Sequence, residues 1–168
     1  MQSTPITNRK NIFDISISRI NSERNGATVI IPHVCNNVGL FGAGFALDLR
    51  NRFPEVATNF ELLGKKTKLG YVQYIEVMKN KNYQHKLYVA NMIAQNKIIS
   101  HNNKRPLNYE YLVKCMIDVR NHIYDLNLEQ VEIHCPKFGS GLAGGNWLFI
   151  QHLIDDIWHN IPVMVYQK

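Results

Sequence analysis

Between His33 and Phe53 the chain reads HVCNNVGLFGAGFALDLRNRF, and the order of residue types there leaves few folds open. The apolar run ATVII from Ala27 passes through polar Asn36 and Asn37 into a turn at Gly42, Ala43 and Gly44, the pattern of a buried strand released into a small-residue loop. A helix is expected from Gly42 onward, because Phe45, Leu49 and Phe53 recur at i, i+4 and i+8 and mark one buried face. Pro54 is expected to stop it. A helix N-terminus leaves amide N–H groups without partners, and small residues let a ligand approach them, so anionic oxygens are favoured at such a turn.

The same design recurs over residues 130–147, QVEIHCPKFGSGLAGGNW, where Gly139, Gly141, Gly144 and Gly145 lie close together. Asn146 is placed to cap a helix whose apolar face is Ile150, Leu153, Ile154 and Ile157. Two glycine-rich loops at the carboxyl ends of strands are what a diphosphate between two ribosyl groups requires.

Further strands are expected over residues 71–77, 86–94 and 163–166, beside those over 27–34 and 130–137. Helices are expected over residues 14–23 and from Asn108, where Leu112, Met116, Val119 and Ile123 share a face. This alternation predicts a three-layer α/β domain around a central mixed sheet. Pro32 falls inside the first of these strands and removes a ladder donor, so a bulge or an early strand end is expected there. Residues 97–107 form the longest polar excursion and are expected to cover a site. Residues 1–10 are expected to be a mobile lead, with 11–168 a single domain.

Composition narrows the partners. Cys35, Cys115 and Cys135 form no CxxC pair and leave one cysteine over, which points to a reducing, cytoplasmic setting. His33, Cys35, His134 and Cys135 lack the spacing of a metal knuckle, so neither metal nor cofactor is expected. A formal net charge of +6 favours anionic partners. Lys65, Lys66, Lys68, Lys79, Lys81, Lys104 and Arg105 are nevertheless scattered without aromatic interleaving, so direct nucleic-acid binding is not expected. No apolar run approaches a membrane span and no cleavable signal is visible, so no membrane partner is expected.

With both loops in view, the chain from about Asn11 to Tyr166 resembles the macro domain family, the modules that bind ADP-ribose. HVCNNVGLFGAG and PKFGSGLAGGNW look closest to the branch that contains the ADP-ribose-1″-phosphate phosphatases and terminal ADP-ribose-protein glycohydrolases. The resemblance implies an α/β/α fold. It sets Asn36 beside the distal ribose, Gly42, Ala43, Gly44 and Phe45 along the diphosphate, and Phe138, Gly139, Ser140, Gly141, Leu142 and Ala143 on the opposite side. Asn11, followed by Ile12, stands where an aspartate usually receives the adenine amino group; its carbonyl oxygen can accept that bond without charge assistance. Tyr166 would pack on the base or ribose, or else be a tyrosine at the core edge.

In the glycohydrolase relatives a lysine acts as nucleophile and a second-loop aspartate assists it, but the matching positions here are Gln95 and Ala143. Neither can form a Schiff base or supply a proton. VANMIAQ with LAGGNW resembles the phosphatase-like members instead. Asn36, Asn37 and Gln95 would then orient a water, and His33 is the nearby group of suitable ordinary pKa, unless it only closes a strand end by hydrogen bonding. The resemblance thus implies binding of ADP-ribose or a close derivative, slow hydrolysis of ADP-ribose-1″-phosphate, and ADP-ribosylated macromolecules as further partners. A non-catalytic reader or nucleotide-signal sink, an ADP-ribosyl glycohydrolase and a nucleic-acid-binding module are the alternatives.

Overall fold

The computed structural model describes residues 6–8, 11–82, 84–126 and 130–167. Along the chain come β1 (Ile6–Asn8), α1 (Ile12–Asn21), β2 (Thr28–Asn36), α2 (Gly44–Arg52), α3 (Pro54–Leu63), β3 (Val72–Lys79), β4 (Lys86–Gln95), α4 (Tyr109–Asp125), β5 (Val131–Pro136), α5 (Trp147–Ile157) and β6 (Val163–Tyr166). The six strands form one sheet in the order β1-β6-β5-β2-β4-β3, in which only β3 runs antiparallel to its neighbour. The expected mixed sheet with helices on both faces is what forms.

Period-two alternation divides the apolar residues between two cores. Val29 and Ile31 of β2, with Leu87, Val89 and Ile93 of β4, face α1, α2 and α3; Ile30, Ala90, Met92 and Ala94 face α4 and α5. The predicted stripe Leu112, Met116, Val119 and Ile123 is buried on that second side, each residue contributing roughly 1.5–3 kcal/mol relative to exposure. Asn108 and Asn146 cap α4 and α5 through their side chains as expected.

Local departures have physical causes. Pro32 pairs in register with Ala90, and the irregularity in β2 falls instead between Cys35 and Asn36. The β2–β5 ladder ends at Ile30, so the proline sits where β2 has one registered neighbour. The helix expected from Gly42 begins at Gly44, and Pro54 does more than end it: as the first residue of α3, where its missing N–H costs nothing, it starts a second helix. The first helix begins at Ile12, two residues earlier than expected, because Asn11 caps it. Of the segment read as a lead, Ile6–Asn8 pairs in parallel with β6, while residues 1–5, 9 and 10 lie outside the described residues. No described helix is long and apolar enough to cross a membrane.

Candidate functional site

Parallel strands bring the loops after β2, β4 and β5 to one end of the sheet, where helix N-termini and strand carboxyl ends converge. The loop after β2 is organised by one side chain. Asn36 Oδ1 accepts from Val38 N and Leu40 N at 3.1 Å each, and its Nδ2 donates to the Leu40 carbonyl at 2.7 Å. Arg50 of α2 holds the far end of the loop by donating from Nε to the Phe41 carbonyl at 2.8 Å, and is itself paired with Glu61 of α3.

Across the cleft lies the loop after β5. A side chain starting at Gly44 would stand 3.9 Å from Leu142 Cδ1, which sets the two glycine loops face to face. Gly44 has φ of 56°, the left-handed conformation that suits glycine. At Gly145 the constraint is space, since a Cβ would lie 2.5 Å from the Gly139 carbonyl oxygen. Gly42 and Gly141 are different: neither has positive φ, and nothing lies within 4 Å of where a side chain would begin. Both have open space where a side chain would begin.

Each loop presents a row of unused donors. Asparagine side chains cap α1, α4 and α5, but Ala43 gives α2 no side-chain cap. The amides of residues 41–46 and of residues 139–143 find no acceptor among the described residues. Free N–H groups in two facing small-residue loops can serve as an anion cradle.

The segment between β4 and α4 closes one end of this cleft. Asn37 Nδ2 donates to Asn96 Oδ1 at 3.1 Å, and Asn37 Oδ1 accepts from Lys97 N at 2.8 Å, which fastens the segment to the first glycine loop. Leu107 N donates to the Ala143 carbonyl at 3.1 Å, fastening it to the second. Asn103 braces its interior by donating to the carbonyls of Asn96 and Ile98. The expected cover is therefore an end wall. Residues 36–43, 96–108 and 137–146 contain no aspartate or glutamate, but include Lys97, Lys104, Arg105 and Lys137, so nothing there repels an anion.

Several expected site residues do other work. His33 is buried beneath the first loop, its ring edge-on to Phe41 and Phe45. Its Nε2 donates to Asn91 Oδ1 at 2.5 Å, and Asn91 Nδ2 donates in turn to Gln73 Oε1. Burial holds its pKa at about 4, only partly offset by the Asn91 bond, so it is neutral near pH 7. That bond lies inside the β2–β4 ladder, where His33 and Asn91 are registered partners, and β2 runs on to Asn36. Asn11 Oδ1 accepts from Phe13 N at 2.9 Å and Asp14 N at 3.2 Å, so the oxygen expected to receive an adenine amino group is used as a helix cap. Ile12 beside it is buried. Tyr166 is buried against His134, with its hydroxyl 3.5 Å from Nδ1 and its pKa pushed up to about 12 by burial.

Asn36 is likewise engaged with its own loop, through both Oδ1 and one hydrogen of Nδ2. Gln95 donates from Nε2 to the Lys97 carbonyl at 3.2 Å. Phe138 is buried beneath the second loop, and Ser140 donates to the Lys137 carbonyl. The bracing asparagines Asn96 and Asn103 and the supports Arg50 and Glu61 escape sequence reading, because their partners are distant or are backbone carbonyls; the polar cluster NKIISHNN is the one local signal.

No family model matches the chain. It is 29% identical over 141 residues, 80% of this chain and 83% of the relative, to an uncharacterized 17.5 kDa protein of Enterobacteria phage T4. Among solved structures, a macrodomain protein from Streptomyces coelicolor superposes with a TM-score of 0.71 at 26% identity, covering 98% of this chain and 99% of the other. DarTG of Thermosipho africanus, solved in complex with ADP-ribose, superposes with a TM-score of 0.63 at 18% identity, covering 82% of this chain and 37% of the other. By fold the chain is a macro domain.

Proposed function

We propose that this macro domain binds ADP-ribose or a close derivative in the cleft between its two glycine loops, and slowly hydrolyses the terminal phosphate of ADP-ribose-1″-phosphate. The observation that carries the reading is the free amides of two facing loops, residues 41–46 and 139–143, with no acceptor of their own and no carboxylate in the surrounding loops. A diphosphate laid between them would take up those donors, with Gly42 and Gly141 leaving room for it. The Thermosipho protein, part of which shares this fold, was solved in complex with ADP-ribose, which supports this choice of ligand.

Hydrolysis would rest on charge stabilisation by those amides and on a water held by neutral groups. Gln95 Oε1 is the acceptor available to orient it. Asn37 and Asn36 act one step back, by fixing the loops. The lack of a carboxylate in the three loops and the burial of neutral His33 also favour a second reading, a non-catalytic reader or sink of ADP-ribosyl groups. A lysine-dependent glycohydrolase is disfavoured by Gln95 and Ala143.

Calorimetric titration with ADP-ribose, followed by phosphate release from ADP-ribose-1″-phosphate, separates these readings. Saturable binding with slow, chelator-insensitive release is expected. Binding with no release over hours at high protein concentration makes the protein a reader, and absence of binding removes the reading altogether.

A further inference from the structure

Among the described residues, the only non-glycine residues at positive φ are Gln84 and Lys97. Lys97 stands in the end wall of the cleft with φ of 61°, a conformation that glycine or asparagine adopts with less strain. It is held there from both sides: its N–H donates to Asn37 Oδ1 at 2.8 Å, and its carbonyl accepts from Gln95 Nε2 at 3.2 Å. Asn37 and Gln95 close the carboxyl ends of neighbouring strands, where Asn36 and Gln95 are registered partners. The structure thus imposes a strained backbone on a lysine beside the anion cradle, and such strain persists where the surroundings over-determine it and function uses it.

The ammonium group of Lys97 is exposed and makes no hydrogen bond or ion pair with any described residue. No carboxylate in the three cleft loops competes for it. The wall formed by residues 96–107 ties together the two loops along which the diphosphate would lie. We propose that Lys97 is the specificity-determining cation of this cleft, which selects ligands carrying a further anionic group on the distal ribose. A terminal phosphomonoester fits that chemistry, since a lysine ammonium meets phosphate as a point charge with three donors. This inference rests on the ADP-ribose reading of the cleft. Lys97 enters no covalent step.

The strain supplies the test. Lys97→Gly removes the cation while relieving the backbone, so the variant should fold with an unchanged or higher thermal midpoint. ADP-ribose and ADP-ribose-1″-phosphate are titrated against the unaltered protein, Lys97→Gly and Lys97→Arg. The unaltered protein should bind the phosphorylated ligand about tenfold more tightly, as a charge-assisted contact would give. The preference should vanish in Lys97→Gly and survive in Lys97→Arg, with affinity for ADP-ribose the same in all three. A preference retained by Lys97→Gly overturns the inference, as does equal loss of both ligands, which would mark Lys97 as a structural residue. A borohydride-trapped adduct at Lys97 overturns it in favour of a nucleophile. If the unaltered protein binds ADP-ribose without preferring the phosphorylated ligand, this inference fails and the reading of the cleft stands; if it binds neither, the reading itself fails.

Discussion

At Gly42 the absence of a side chain, and not an unusual backbone angle, is what matters. Its φ is not positive, and a Cβ there would meet open space, so a larger residue should leave the fold intact while filling the diphosphate path. Gly42→Val is therefore expected to abolish ADP-ribose binding with little change in thermal midpoint, read by calorimetry beside a thermal melt. Retained affinity in the folded variant would remove the proposed cradle. Gly44 and Gly145 are constrained differently, by φ of 56° and by a 2.5 Å approach of the Gly139 carbonyl oxygen respectively, so substitution there would disturb the loops as well as any ligand. His33 shows how burial changes the meaning of a residue type. A histidine that reads as a base in sequence becomes a neutral donor to Asn91 once desolvation lowers its pKa to about 4.

The first glycine loop works as an element because separate side chains hold its two ends. Asn36 ties its beginning through two accepted bonds and one donated bond, and Arg50, braced by Glu61 of α3, ties its end at Phe41. Asn36→Ala leaves Val38 and Leu40 without their acceptor, so a stability loss of about 1–3 kcal/mol is expected from chemical denaturation. Because the whole loop is loosened, ADP-ribose binding and any turnover should fall together. Loss of turnover with affinity intact would return Asn36 to a direct role at the distal ribose. The end wall is built in the same way: Asn37 and Leu107 link residues 96–107 to both glycine loops, while Asn103 braces the wall from within.

Across the whole molecule, α1 is fixed to the sheet by a polar cluster. Arg19 Nε lies 3.0 Å from both carboxylate oxygens of Glu132, His134 Nε2 donates to Glu132 Oε2 at 3.0 Å, and Ser16 Oγ lies 2.8 Å from His134 Nδ1. Burial pushes the Glu132 pKa up, but the bonds from His134 and Arg19 and the charge of Arg19 outweigh it and bring the value down to about 2 from an ordinary 4.5. A carboxylate with a depressed folded-state pKa stabilises the fold fully above its unfolded pKa, and the contribution disappears as pH falls through the folded value. Stability is thus expected to decline between about pH 4.5 and pH 2 in part through Glu132. Glu132→Gln should cost about 3 kcal/mol near pH 7, since it leaves Arg19 without its partner charge, and should flatten that acid limb. An unchanged acid limb in the variant would assign the decline to other groups.

Local physics determined much of this protein before any fold existed. Period-two and period-3.6 patterns set the strands from β2 onward and the stripe of α4, asparagines marked the caps of α4 and α5, and glycine clusters marked both loops of the cleft. Each of those signals lies within a few residues of what it specifies. The tertiary structure decided what depends on distant partners. Pairing with β6 drew Ile6–Asn8 into the sheet, folding buried His33 and Tyr166, the first loop's amides engaged Asn36, and the first turn of α1 engaged Asn11. The end wall that sets Lys97 beside the cleft also depends on Asn37 and Ala143, 60 residues before it and 46 after. A sequence names the groups that can make hydrogen bonds, but which groups remain free for a ligand is settled only when chain folding has used up the others.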